Sequence, residues 1–300
     1  MSRIIFAYSI FFFDYSIMKL AISIIFPPTS LSQSHYIALP PFPKILPSYF
    51  FILNLITIFA QFNTKCAKTM EQSFIAYIEN SIKNNWDLDA LTDYKGATLQ
   101  YKDVARKIEK LHIIFEESGI RKGDKIAVCG RNSSHWGVTF LATLTYGAVV
   151  VPILHEFKAD NIHNIVNHSE AKLLLVGDMV WENLNESAMP LLEGILMMND
   201  FTLLVSRSER LTYAREHLNE MFGKKYPKNF RTEHIAYHKD EPEELAVINY
   251  TSGTTSYSKG VMLPYRSLWS NTKFAFEVLD LQAGDKIVSM LPMAHMYGLA

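Results

Sequence analysis

Tyr250-Thr251-Ser252-Gly253-Thr254-Thr255-Ser256-Tyr257-Ser258-Lys259-Gly260-Val261 is the stretch on which the reading of this chain turns. A mostly apolar run, Leu245 to Asn249, leads straight into it. Hydroxyl side chains crowd around Gly253, and a lysine and a second glycine close the segment. Gly253 and Gly260 let the backbone turn tightly and come close to an anion. Successive free N–H groups in such a turn form a concave anion site. Thr251, Ser252, Thr254 and Thr255 each carry an O–H that a phosphate oxygen accepts, and Lys259 adds a positive charge for the β- and γ-phosphates of a nucleotide. The NTPase P-loop is a different motif: it needs G-x-x-x-x-G-K-[ST], and here the lysine precedes its glycine. On the residues alone two readings stand, a loop that grips polyphosphate and a Ser/Thr-rich surface turn.

Outward from this segment, helical and strand periods alternate. A helix is expected over residues 72–84. Short strands Ala90–Tyr94 and Ala97–Leu99 flank the turn signal Lys95-Gly96. Val104, Ile108, Leu111 and Phe115 recur at helical spacing, and Gly119 is placed to end that helix. Then come strand Lys125–Cys129, helix Ser134–Tyr146 capped by Ser133 or Ser134, strand Ala148–Ile153, helix Ala159–His168 and strand Lys172–Val176. Further strands are expected at Phe201–Val205, Ala246–Tyr250 and Lys286–Leu291. Strands alternating with helices imply βαβ units, with parallel strands covered on both faces.

Composition bounds the function. The 300 residues carry 29 Lys and Arg against 30 Asp and Glu, a formal charge of −1. A nucleic-acid partner needs a basic surface, so it is not expected. The cysteines, Cys66 and Cys129, stand far apart, which argues against a disulfide scaffold or zinc site and for a reducing, cytoplasmic compartment. His163 and His168 are five apart and share a helix face poorly, so with His155 they do not suggest a metal site, and none is expected.

Residues 1–69 differ from the rest. They contain no Gly, Glu, Val or Trp, where an ordinary stretch of that length carries about five Gly. Ile45 to Thr64 is uncharged and about as long as a membrane span. Three readings follow: a membrane anchor, a secretory signal, or translated sequence upstream of a true start at Met70. Composition favours the third. The expected organisation is thus an atypical apolar extension over 1–69 and a folded domain over 70–300, with membrane association only if the extension is real.

The segment around Lys259 resembles the signature of the adenylate-forming superfamily, which includes acyl-CoA synthetases, luciferase and peptide-synthetase adenylation domains. That pattern reads roughly [YF]-T-S-G-T-T-G-x-P-K-G, and Thr251, Ser252, Gly253, Thr254, Thr255, Lys259 and Gly260 match it. Ser256 and Ser258 depart from its usual Gly and Pro. Leu291-Pro292-Met293-Ala294-His295-Met296-Tyr297-Gly298 resembles the family's L-P-x-x-H-x-x-G segment, and Gly147-Ala148-Val149-Val150-Val151-Pro152 its G-A-x-x-x-P strand.

The resemblance implies an α/β fold: part of the large N-terminal domain of the adenylate-forming enzymes, with mixed sheets layered with helices. It implies ATP and Mg²⁺ as cofactors, CoA as acceptor and a carboxylic acid, closest to a fatty acid, as substrate. Thr251, Ser252, Gly253, Thr254, Thr255, Lys259 and Gly260 would hold the nucleotide, and His295 would stand beside the acyl-adenylate. The family's Mg²⁺-binding acidic motif, ribose-binding aspartate, hinge and C-terminal domain with its catalytic lysine have no counterpart up to Ala300. The expectation is therefore a fragment, inactive alone. The competing expectations are an inert nucleotide-binding remnant and a membrane-anchored binding protein.

Overall fold

The computed structural model describes residues 4–6, 73–251, 259–278 and 285–295. The chain forms two units, one of residues 1–70 with 282–288 and one of the remainder. In the first, strand β1 (Ile4–Phe6) pairs in parallel with the late strand Lys286–Val288. The candidate span Ile45–Thr64 lies outside the described residues. Among those described, no helix is long and apolar enough to cross a membrane.

The second unit opens with α1 (Phe74–Asn84). Its first amides and the hydroxyl of its N-cap Ser73 meet the Asp240 carboxylate, with Phe74 N donating at 3.1 Å and Ile75 N at 3.3 Å. A carboxylate suits the positive end of a helix. The hairpin β2 (Asp89–Thr92) and β3 (Thr98–Gln100) forms around the expected turn. Helix α2 (Tyr101–Ser118) ends on Gly119 at φ 84°, the left-handed cap that glycine adopts without strain.

From there β4 (Lys125–Cys129), α3 (Ser134–Tyr146), β5 (Val149–Ile153), α4 (Ala159–His168) and β6 (Leu173–Val176) follow the expected alternation. Of the two candidate caps for α3, Ser133 accepts from Trp136 N at 3.1 Å. Ser134 instead donates to Asp93 in the β2–β3 turn. After the short α5 (Asp178–Trp181) come β7 (Gly194–Met197), β8 (Leu203–Ser206), α6 (Glu209–Glu216) and α7 (Leu218–Lys225). The chain closes with β9 (Leu245–Thr251), β10 (Lys259–Pro264), α8 (Tyr265–Val278) and β11 (Lys286–Val288), the partner of β1.

The seven strands of the main sheet run β10-β9-β5-β4-β6-β7-β8. The five central strands are parallel, and an antiparallel strand closes each edge. The sheet is thus mixed, as the family resemblance implies. Parallel strands buried on both faces carry unbroken apolar runs, and here alternate residues divide cleanly. Ile126, Leu173, Leu175 and Leu196 face α2, α6 and α7, and Val128, Val150 and Val247 face α3 and α8. Ala127, Cys129, Val151, Leu174, Val176 and Ile195 face α4. Each buried Val, Leu or Ile among them stabilises the fold by about 1.5–3 kcal/mol relative to exposure.

Strand β5 lies on one side of β4, and the next strand, β6, on the other. Right-handed crossovers running in opposite directions must put their helices on opposite faces. That is why α3 and α4 cover opposite sides of the sheet.

Some expectations move. The strand foreseen at Phe201–Val205 starts at Leu203, because Phe201 sits at φ 62° in the turn joining β7 and β8, with its amide bonded to Met197 O at 3.0 Å. The strand foreseen at Lys286–Leu291 ends at Val288. Beyond it, the carbonyls of Ser289 and Leu291 are engaged by a side chain, not by a ladder.

Candidate functional site

Strand β9 leads into the segment that the sequence motif marks as a candidate phosphate loop. Ser252, Gly253, Thr254 and Thr255 lie outside the described residues, as do Ser256 to Ser258. Thr251 and Lys259 stand at the two ends of this connection, and the structure makes them register partners in the β9–β10 ladder. The connection is therefore the loop of a hairpin, and Lys259 opens a strand rather than extending a loop.

Gly260 is part of that strand as well, opposite Tyr250. A Cβ on Gly260 would lie 2.9 Å from Ile248 Cγ2 and 3.2 Å from Tyr250 Cζ. The glycine is needed here because the Tyr250 ring crosses its position. Tyr250 is held from the other side, its hydroxyl 2.6 Å from His168 Nδ1 with the two rings edge to face. Burial raises the Tyr250 pKa, so the hydroxyl keeps its proton. The base of the loop is thus braced by α4.

Side chains alternate along a strand, and cross-strand partners share a face. The ladder keeps its register from Thr251–Lys259 to Val247–Leu263. Val247, Asn249, Thr251, Lys259 and Val261 therefore share one face, and Ile248, Tyr250 and Gly260 the other. Asn249, which is buried, donates from Nδ2 to Ala294 O at 3.1 Å. Ala294 packs with Val247, Tyr265 and Leu268. The segment bearing His295 accordingly lies on the face of the hairpin that Thr251 and Lys259 share. His295 itself is exposed, at the end of a turn in which its amide bonds Pro292 O at 2.9 Å.

Asn132, in the loop after β4, holds the same segment. Its Nδ2 donates to Leu291 O at 2.6 Å and to Ser289 O at 3.5 Å, and its Oδ1 accepts from Met293 N at 2.7 Å. Neither asparagine is among the residues that sequence motifs single out. Asn249 has one weak signal, its even spacing from Thr251 along a strand. Asn132 has no local signal, because its partners are more than 150 residues away.

A crevice opens at the carboxyl ends of β4, β5 and β6, lined by Arg131, His155, Gly177, Asp178, Met179 and Val180. It sits where the strand order reverses, the place at which sheets of this kind take ligands. Gly130 and Gly177 allow the two strand ends to close on each other there, with a Cβ on Gly177 falling 3.3 Å from Gly130 Cα.

Of the other histidines singled out by spacing, two have structural partners: His163 Nε2 accepts from Asn185 N at 3.1 Å, and His168 meets Tyr250. Among the described residues no group of three or more His, Cys, Asp or Glu side chains stands together as a metal would need.

Comparison with known proteins adds the following. A family model described as AMP-binding enzyme matches residues 78–300. A long-chain-fatty-acid–CoA ligase 5 from Rattus norvegicus is 28% identical over 218 residues, covering 66% of this chain and 30% of the relative. Among solved structures, a long-chain-fatty-acid-CoA ligase (FadD1) from Archaeoglobus fulgidus aligns with a TM-score of 0.60 at 23% identity, covering 76% of this chain and 43% of that one. ATP-bound MatB from Rhodopseudomonas palustris aligns with a TM-score of 0.56 at 22% identity, covering 74% and 41%. The chain spans less than half the length of each.

Proposed function

The chain belongs to the AMP-binding enzyme family, and from that premise we propose that it takes part in the ATP-dependent activation of a fatty acid. The acid carboxylate attacks the α-phosphate of ATP, giving an acyl-adenylate and pyrophosphate, and CoA thiolate then displaces AMP. The hairpin connection between Thr251 and Lys259 grips the β- and γ-phosphates. Its hydroxyls and the Lys259 ammonium neutralise the charge that builds on the departing pyrophosphate, which is where positioned donors accelerate phosphoryl chemistry.

One observation carries this reading: the bond from Asn249 Nδ2 to Ala294 O. It ties the segment of His295 to the hairpin face shared by Thr251 and Lys259, so a group held by the loop and a group beside His295 are neighbours. Support for a fatty acid comes from the relatives, several of which are long-chain-fatty-acid–CoA ligases. ATP brings the activating phosphates. Mg²⁺ in such a reaction is held by one or two carboxylates together with the nucleotide's phosphates.

The test is exchange of labelled pyrophosphate into ATP by the complete protein, with fatty acids of rising chain length added in turn. Exchange that depends on the acid supports the reading. Saturable ATP binding without exchange reduces the chain's role to holding nucleotide. Absence of both removes the reading.

A further inference from the structure

We propose that Asn132 is a positioning residue for His295, one half of a splint whose other half is Asn249; this rests on the reading of the chain as an acid-activating enzyme.

The segment from Ser289 to His295 has no regular ladder to hold it. Backbone groups without such partners are satisfied by side chains or water, and here two asparagines supply them. Asn132 uses both ends of its amide, as a donor to Leu291 O and Ser289 O and as an acceptor from Met293 N. Asn249 adds a buried donor to Ala294 O. Four consecutive residues, Leu291 to Ala294, are thus pinned from two directions, with Pro292 rigid between them. Asn132 reaches the segment from the carboxyl end of β4, and Asn249 from β9. The splint therefore fixes the His295 backbone to two strands of one sheet, and through β9 to the ends of the phosphate loop.

Asparagine suits this task because a planar amide offers a donor and an acceptor at one short reach. Aspartate has the same shape but only accepts. Asn132→Asp keeps the bond from Met293 N and loses both donated bonds, placing a carboxylate against Leu291 O. Asn132→Leu loses all of them. Asn132 is exposed, so both variants are expected to fold, whereas a change at buried Asn249 risks the core.

The test combines amide hydrogen exchange on the whole chain with acid-dependent ATP–pyrophosphate exchange by the complete protein. In Asn132→Asp the amides of residues 289–295 should exchange about tenfold faster, and more in Asn132→Leu, while those of β4 to β6 keep the wild-type rate. In the same variants KM for the acid should rise about tenfold, with KM for ATP unchanged. Unchanged amide exchange in both variants overturns the splint. A looser segment that raises both KM values alike, or neither, overturns the positioning role. If the complete wild-type protein shows no acid-dependent exchange, the functional reading fails on its own, and the amide rates still decide whether the splint exists.

Discussion

Thr251 and Lys259 are partners across the β9–β10 ladder, and they share a face of it with Asn249, whose side chain holds Ala294 O at 3.1 Å. This fixes both ends of the proposed phosphate loop and the backbone next to His295 relative to one sheet. Preorganisation of this kind makes electrostatic groups effective, because they spend little reorganising when charge appears.

The close crossing of Tyr250 over Gly260 makes the glycine a sensitive position. Gly260→Ala puts a methyl group 2.9 Å from Ile248 Cγ2 and 3.2 Å from the Tyr250 ring. The ring is braced by His168 and cannot swing away freely. The substitution should cost about 1–3 kcal/mol, as overpacking does, although alanine is the better strand former. A urea midpoint equal to or above wild type would show that the ring yields.

His112 lies buried against α3, its Nε2 3.0 Å from both Ala142 O and Thr145 Oγ1. Burial lowers its pKa to about 4; the bond to Ala142 opposes the shift, and the nearby Lys225 charge adds to it. Unfolding restores a value near ~6.5, so the unfolded chain binds the extra proton between these limits. Stability from this group is fully present above about pH 6.5 and falls as the pH drops towards 4. The chain should lose about 2 kcal/mol between pH 7 and pH 5 from His112 alone. Chemical denaturation at both values checks this. His112→Gln should remove most of the difference, and an equal pH dependence in the variant would assign it elsewhere.

Cys129 ends β4 inside the core, and burial pushes its thiol up to about 12. The thiolate is the reactive form, so at neutral pH position 129 should resist alkylation in the folded chain and react fully in denaturant. Peptide mapping after iodoacetamide treatment reads both states. Rapid native labelling at 129 would mean that the end of β4 opens readily.

Much of the fold is legible in the residues. Strand β4 and helices α3 and α4 begin and end where apolar periodicity and caps place them, since local pattern and burial agree there. β7 is hidden because Gly194-Ile195-Leu196-Met197 is short and follows irregular chain. β10 is hidden because Lys259 and Gly260 belong to a chemical motif that reads as loop, and a strand containing glycine and ending in Pro264 has little propensity of its own. It forms because β9 offers it a ladder. The site is legible as residue types and not as an arrangement. The motif supplies Thr251, Lys259 and His295; that Thr251 and Lys259 share one side of the sheet follows from register, and that the segment of His295 lies there too follows from the Asn249–Ala294 bond, neither of which pattern alone reveals. Asn132 and Asn249 come into view only with the tertiary contacts.

The central claim, that the connection ending at Lys259 grips the phosphates of ATP, is tested most directly by titrating ATP into the wild-type chain and into Lys259→Ala. A hydrogen bond from a charged donor contributes about 1.5–3 kcal/mol. Saturable binding by the wild type is expected, with Kd about ten- to a hundredfold weaker in the variant and AMP binding changed far less. Equal ATP affinity in the two proteins would contradict it.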